Sequence, residues 1–573
     1  MGSICAIPTG PAPDRRSAPR PDMAGHFIGI DVGTGSARAG IFDRAGRMVA
    51  TAKRDIALYR DGPDIAEQSS EDIWQAVCAS VREAMVNAGL SPDAIAGIGF
   101  DATCSLVAVG QGGAPLPVGS HGDASRDIIV WMDHRAIEQA ERINATRHPV
   151  LAYVGGTISP EMETPKLLWL KQKLPSTYDA AWQFFDLPDF LTWRASGSLA
   201  RSTCTVTCKW TYLAHEGRWD AGFFHQIGLA DLADEGFARI GTEIVPGGTA
   251  LGQGLTGQAA AELGLKPGTA VAAGLIDAHA GGVGSVGVRS APGSALTRMA
   301  YVFGTSACTM ASSREPIFIP GVWGPYFAAM APGLWLNEGG QSGAGAAIEQ
   351  LIGFHPATPD AQRRADAEGL SLPDWLAAQA LQHVDGPSEA ARLAGELIVV
   401  PDFLGNRSPH ADPQARAVIS GLGMERDLNN LVALYVAGLT GIGYGLRQII
   451  EVSRAQGAIV EAIVLSGGAG RHPLIRQLLA DCSGRPVLVP DEVNPVLLGS
   501  AMLAAAAAKA FTDLGEAMTG MAPCATVFTP AGGEIARLHT RRLAAFEALQ
   551  AAARQARELM RPARTQAVSE TPT

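Results

Sequence analysis

A short glycine-rich turn near the start of the sequence holds several groups that can do chemistry: Asp31-Val32-Gly33-Thr34-Gly35-Ser36, directly after a mostly apolar run at 27–30. Glycines allow positive φ in a tight turn. Consecutive N–H groups in such a turn form a nest for anionic oxygens. Thr34 and Ser36 add hydroxyls, and Asp31, at the strand end, could hold Mg²⁺ directly or through water. An ordinary hairpin turn would read the same way. The echo of the pattern at Gly304-Thr305-Ser306 favours phosphate, because two facing hairpins can grip one polyphosphate from both sides.

A second candidate is Asp277, in "VAAGLIDAHAGGVGSVG" at 271–287. An apolar strand ends there and a helix of small residues begins. The aspartate reads either as a helix N-cap or as a general base that accepts a proton from an attacking hydroxyl. The same stretch contains Gly282-x-Gly284-x-x-Gly287, which fits a dinucleotide fingerprint by spelling. Its glycines fall within or after a helix, not between a strand and a helix, so the match is discounted. Gly467-Gly468-Ala469-Gly470 follows an apolar strand and precedes a helix, where backbone can approach a flat or anionic ligand.

Two further clusters, "VWMDHR" at 130–135 and "WLNEGGQSGAG" at 335–345, put carboxylates beside guanidinium, amide and glycine backbone. Such sets suit a polyol, and they also suit local salt bridges. The stretch 98–109 reads as one strand, yet its middle is Asp101, Ala102, Thr103, Cys104 and Ser105. Small polar side chains there can line a sugar-sized pocket without filling it; packing beneath a helix is the alternative. The loop "PDFLGNRSPHADP", 401–413, reads as structural, near a nucleotide.

These groups need elements to hold them. Strand–turn–strand patterns at 26–50 and 298–312 lie about half a chain apart, and a strand–glycine loop–helix follows at 461–482. Helical periodicity covers 71–87 and 137–145, and a polar, Ala-rich helical cover covers 355–395. The alternation predicts an α/β protein of two related halves with a boundary near 290. Residues 1–25 read as a disordered extension, with Met23 as a second possible start, and the tail after about 556 as disordered again.

The net charge of −11, a pI near 5.6 and the lack of a dense Lys/Arg block argue against nucleic acid. Eight cysteines in 573 residues do not form a disulfide framework. Cys204-x₃-Cys208 has no second Cys or His pair nearby in the sequence and is not read as a metal site. The apolar stretch 493–508 is short for a membrane span and reads as a buried helix. No secretory signal is recognisable, and a cytoplasmic protein is expected. The P-loop, H-E-x-x-H and G-x-S-x-G patterns do not occur.

Taken in order, Asp31–Ser36, "WMDHR", Lys209-Trp210, "GLIDAHAG", "FGTSAC", "NEGGQSGAG", "GNRSP" and "SGGAG" resemble the FGGY family of carbohydrate kinases over residues 26 to 510. The resemblance implies two actin-like (ribonuclease H-like) α/β domains flanking a cleft that closes on the sugar. It implies a sugar-binding domain at 26–290, a nucleotide-binding domain at 291–510, and a C-terminal helical segment with its tail at 511–573. It implies ATP and Mg²⁺, with a homodimer as a family-level expectation. Asp277 corresponds to the catalytic base. Asp31 corresponds to the metal contact. Gly33, Thr34, Gly35, Ser36, Gly304, Thr305 and Ser306 correspond to phosphate contacts, and Gly467, Gly468 and Ala469 flank the adenosine. Asp101, Asp133, Lys209 and Glu338 correspond to sugar contacts, joined by Thr103, Cys104 and Ser105. "TCSLV", 103–107, resembles the segment of the D-ribulokinase branch. Phosphorylation of D-ribulose at its terminal hydroxyl is the expected activity. L-ribulose, xylulose or ribitol are the alternatives within the family, and a sugar-binding regulator or an ATPase of the same fold the alternatives outside it.

Overall fold

Both expected hairpins form, and each seeds a sheet. The computed structural model describes residues 25–289, 291–491 and 494–560. The extension at 1–24, the end of the tail at 561–573 and Ser290, at the expected boundary, lie outside the described residues.

In the first sheet the strands run in the order Ala270–Val271, Ile95–Ala102, His26–Val32, Ser36–Phe42, Met48–Asp55. His26–Val32 pairs antiparallel with Ser36–Phe42 and parallel with Ile95–Ala102. The register sets Asp31 against Asp101, and the short strand Leu275–Ile276 pairs parallel with Asp101–Ala102. Three parallel strands thus end side by side, with Asp31, Asp101 and Asp277 at their carboxyl ends, where open α/β sheets collect ligand groups. The second sheet runs Trp323–Phe327, Trp335–Gln341, Ala307–Ser313, Arg298–Phe303, Ala462–Ser466, Val487–Pro490, Ala525–Phe528.

The stretch 98–109 is not one strand. Ile95–Ala102 belongs to the first sheet, and Leu106–Gly110 pairs with Ala181–Asp186 in another. Residues 103–105 bridge the two, with the Thr103 N–H donating to the Val32 carbonyl (3.0 Å) and the Leu187 N–H to the Ser105 carbonyl (2.9 Å). Small polar residues suit this crossing because the chain leaves one ladder before it joins the next. The helix expected at 71–87 is Ser70–Ala88, capped by Ser69 and by Gly89 in the left-handed conformation. The cover at 355–395 forms helices Thr358–Ala367 and Leu372–Leu381 and a 3₁₀ turn at Pro387–Ala394.

The helix Pro495–Ala507 is buried as expected, but it lies against the first sheet. A Cβ on Gly29 would stand 2.0 Å from the Leu497 carbonyl oxygen, and one on Gly99 2.1 Å from that of Ser500. The same helix meets Asp277–Val286 at equally short range. A Cβ on Gly284 would stand 1.9 Å from the Pro495 oxygen, and one on Gly499 1.9 Å from the Ala280 oxygen. Gly284 and Gly287 of the G-x-G-x-x-G spelling therefore serve helix-on-helix contact, while Gly282 makes room for the Met330 side chain.

The C-terminal helix Gly533–Met560 continues past the expected fade near 556. Arg542 donates to the carbonyls of Gly395 and Leu397, and His539 Nδ1 lies 2.9 Å from the Tyr444 hydroxyl. Gln550 is hydrogen-bonded by Gln448 (2.9 Å), and Arg557 pairs with Asp412. No described helix is long and apolar enough to cross a membrane.

Two outcomes follow from this packing. Gly499→Ala should destabilise the protein by roughly 1–3 kcal/mol in urea unfolding, because backbone must move to admit the methyl. Burial, then the charges of Arg542 and Arg447, push His539 down to about 4 from 6.5. Its native site therefore disfavours the proton, so its contribution to stability is complete above pH 6.5 and is lost as pH falls toward 4. The slope is at most about 1.4 kcal/mol per pH unit. In His539→Gln, thermal denaturation between pH 6.5 and 4.5 should show a shallower fall.

Candidate active site

Two cavities adjoin where the second hairpin turns. The first, about 330 Å³, is lined from one sheet by Asp31, Gly33, Thr34, Thr103, Cys104, Lys209 and Asp277, and from the other by Gly304, Thr305, Ser306 and Glu338. The second, about 390 Å³, is lined by Phe303, Gly345, Ile348, Tyr435, Leu439, Gly468 and Ala469. Gly304 and Thr305 belong to both. One cavity is rich in charge and small polar groups. The other has an apolar wall and glycine backbone, which suits a flat ring.

The turns have the closed backbone the sequence suggested. The Gly33 N–H donates to the Ser36 carbonyl (3.0 Å) and the Gly304 N–H to the Ser306 carbonyl (2.9 Å). The Gly304 carbonyl also receives the Gly345 N–H, and the Thr305 carbonyl receives Ala344 and Ala346, which fixes the second turn to the helix Gly345–Gly353. Thr34 Oγ1 accepts from Trp131 Nε1 (3.0 Å).

Asp277 is the first residue of the helix Asp277–Val286, and Ile276 occupies the cap position. One carboxylate oxygen accepts the Ala278 N–H at 2.7 Å, and the side chain faces the first cavity. It is therefore not acting as the N-cap. Burial raises its pKa above the usual carboxylate range, against the Ala278 hydrogen bond and the charges of His279 and Lys209. Burial likewise lifts Asp31 to about 6, with Arg38 pulling down and Asp277 pushing up. Asp101 is driven well up by burial and by Asp31.

These three carboxylates have one nearby guanidinium, Arg38, whose Nη2 is 2.5 Å from Asp31 Oδ2. Asp101 Oδ1 has no hydrogen-bond partner among the described residues. Concentrated, under-compensated negative charge of this kind fits a divalent cation with oxygen ligands, with Asp31 and Asp277 as the two of the three that face the cavity.

On the opposite wall, burial works against ionisation of Glu338, but Lys209 and His279 draw it down to about 2. Burial also opposes the charge on Lys209, yet Cys104 and Glu338 hold its ammonium well above the usual range. A carboxylate and an ammonium, both held charged, thus face one small cavity.

Not every residue expected in the site lies on a cavity wall. Asp101 sits behind Asp31, its Oδ2 taken by Ser500 Oγ at 2.5 Å. Asp133 is fully buried and occupied by the Ala66 N–H (2.7 Å) and by Arg135 Nε and Nη2 (2.8 and 2.7 Å), so it braces the loop. Ser105 Oγ accepts the Trp131 N–H (3.1 Å) and meets Thr103 Oγ1 (3.1 Å), positioning a neighbour of the cavity. Gly35 is exposed on the turn and Ser36 opens the next strand, so neither lines the first cavity. Gly467 has φ +96°, and a Cβ there would stand 2.3 Å from the Phe303 oxygen; it shapes the loop while Gly468 and Ala469 face the cavity.

Among the cavity residues that sequence reading did not single out are Arg38, Glu161, Trp323 and Arg407. Arg407 lies in the loop read as structural and near a nucleotide. It instead enters the first cavity, 5.2 Å from the Trp323 ring centroid and 3.8 Å from Cys308 Sγ.

Two hairpins facing across a cleft, with one cavity of apolar wall and glycine backbone and one of charged and small polar groups, fit a sugar kinase of actin-like architecture. The chain belongs to the FGGY family of carbohydrate kinases: the family's N-terminal domain matches residues 26–284 and its C-terminal domain residues 299–508. A human FGGY carbohydrate kinase domain-containing protein is 46% identical over 88% of this chain and 92% of its own length. A D-ribulokinase from Saccharomyces cerevisiae is 39% identical over 88% of this chain and 75% of its own. The structure of a xylulose kinase from Rhodospirillum rubrum superposes with a TM-score of 0.74 over 92% of this chain and 99% of that one, at 22% identity.

The raised Asp31 carboxyl gives a test of the cation site. It is ionised above about pH 6 and protonated below. Isothermal titration should show that Mg²⁺-dependent nucleotide binding weakens as pH drops from 7 to 5.5. Asp31→Asn should bind weakly throughout, with that pH dependence gone.

Proposed function

We propose that this kinase transfers the γ-phosphoryl group of ATP to the terminal hydroxyl of a ketopentose, with D-ribulose as the substrate. The observation that carries the reading is the shared edge at Gly304-Thr305. It lets a triphosphate reach from the ring pocket into the polyol cavity, where Asp277 waits. The likeness to the yeast D-ribulokinase and the small wall at Thr103-Cys104 support the choice of sugar.

In this scheme adenosine lies beside Gly468, Ala469 and Tyr435. The turns Gly33-Thr34 and Gly304–Ser306 offer N–H and hydroxyl donors to the phosphates. Mg²⁺, held by Asp31, would neutralise charge on the phosphoryl oxygens. Lys209 and Glu338 orient the sugar hydroxyls as donor and acceptor. Asp277 accepts the proton of the attacking hydroxyl through its cavity-facing carboxylate. Arg407 lies where it can meet developing negative charge. Cys104 and Thr103 leave room for a pentose and hydrogen-bond what a bulkier residue would exclude. A site that pairs with a particular hydroxyl rejects the epimer that leaves its own groups unpaired.

The decisive experiment is ADP release against D-ribulose, L-ribulose, D-xylulose, L-xylulose, ribitol and glycerol. D-ribulose should give the highest kcat/KM; preference for another polyol would overturn the substrate and keep the kinase. Asp277→Asn should lower kcat roughly 10²–10⁴-fold while sugar affinity stays within a few-fold. Because burial raises the Asp277 carboxyl, the acid limb of kcat/KM should lie above the usual carboxylate range. Near-normal turnover in Asp277→Asn would refute the assignment of the base.

A further inference from the structure

Beneath the polyol cavity lies a cluster that phosphoryl transfer does not use. Cys204 and Cys208 sit one turn apart on the helix Thr203–Lys209, so their thiols share a face. His279, from the helix Asp277–Val286, turns Nδ1 toward them, 3.0 Å from Cys204 Sγ. The three donor atoms all lie within 4.8 Å of one another, and all three residues are buried at 0%, 0% and 1% exposure. Sequence spacing alone could not reveal the set, because the histidine lies on a different helix, far along the chain.

We propose that Cys204, Cys208 and His279 form a zinc site, separate from the cation site at Asp31 and independent of which sugar the enzyme takes. Four observations carry it. The donors are two sulfurs and an imidazole, the combination zinc takes in three-protein-ligand sites. The 3.0 Å between Cys204 Sγ and His279 Nδ1 and the 4.8 Å limit on all three pairs lie either side of the roughly 3.5–3.8 Å between ligand atoms of a tetrahedral zinc, as follows from bond lengths of about 2.3 Å to sulfur and 2.0 Å to nitrogen. The other ring nitrogen, Nε2, faces Glu338 Oε2 at 3.5 Å and has no other partner among the described residues, the carboxylate–histidine–metal arrangement that fixes a ligating imidazole. The Ile276 N–H points at Cys204 Sγ from 3.4 Å, a donor suited to a thiolate.

The charge balance favours the exchange. The metal-free cluster is neutral overall, with two protons shared among two sulfurs and the Nδ1 position. Zinc binding forms two Zn–S bonds and one Zn–N bond and expels those two protons to solvent. Two thiolates, one neutral imidazole and Zn²⁺ are again neutral, so the buried region bears no added net charge. Bound zinc would tie the helix that carries Lys209 to the helix that carries Asp277, and would hold His279 with its Nε2–H toward Glu338.

The test uses the full chain, stripped with a chelator and titrated with Zn²⁺ alone. About one tight equivalent should bind, with about two protons released per zinc in weakly buffered solution. Co²⁺ in its place should give a thiolate-to-cobalt charge-transfer band, which oxygen ligation at Asp31 cannot produce. Cys204→Ala/Cys208→Ala, checked by circular dichroism and nucleotide binding, should lose both the equivalent and the band. Absence of a tight equivalent and of the cobalt band in the unaltered chain would overturn the proposal, whether or not the variant folds. Zinc retained at the same stoichiometry by the folded double variant would also overturn it.

Discussion

The site depends on how closely four backbones approach. The helix Pro495–Ala507 lies almost in van der Waals contact with the main chain of two parallel strands and of the helix Asp277–Val286. Glycine at 29, 99, 284 and 499 makes this possible, since any side chain at those points would meet a carbonyl oxygen. The helix carries Ser500 to Asp101, and the strand register carries Asp101 to Asp31. The spacing of the carboxylates is therefore set by main-chain packing, which is stiffer than any side-chain contact in the same core.

That stiffness has an electrostatic purpose. Burial raises the proton affinity of all three acids, Asp31 and Asp277 add to that of Asp101, and Asp277 adds to that of Asp31, whereas Lys209 and His279 are each held charged in part by Glu338, which they in turn keep ionised. The first group is short of positive charge and the second is balanced. A polyanion with its cation completes the first, and a neutral polyol needs only the directional donors and acceptors of the second.

Much of this was legible in the sequence wherever function is carried by local spelling. The two glycine turns, the aspartate opening the helix at 277 and the α/β alternation depend on neighbours in the chain, and periodicity or turn chemistry exposes them. Asp133 stays off the cavity wall because Arg135, two residues on, and the Ala66 backbone take up its oxygens, and spacing gives no tally of hydrogen bonds. The strand at 98–109 hid a change of sheet, since periodicity does not say which ladder a strand joins. Arg407 and Glu161 arrive from separate loops and Trp323 from the start of an edge strand, and no short motif joins them. His279 and the two cysteines met for the same reason: topology, not sequence distance, made them neighbours.

The C-terminal helix has a consequence of its own. Its inward contacts fall at 539, 542, 550 and 557, a spacing that keeps one stripe of a 3.6-residue helix facing inward. The last two clasp the loop that delivers Arg407, through Asp402 and Asp412. One residue inserted before Gln550 would swing the distal stripe by about 100° and release the loop without touching a cavity residue. The end of the chain thus acts as a ruler for its active site, read in helical register.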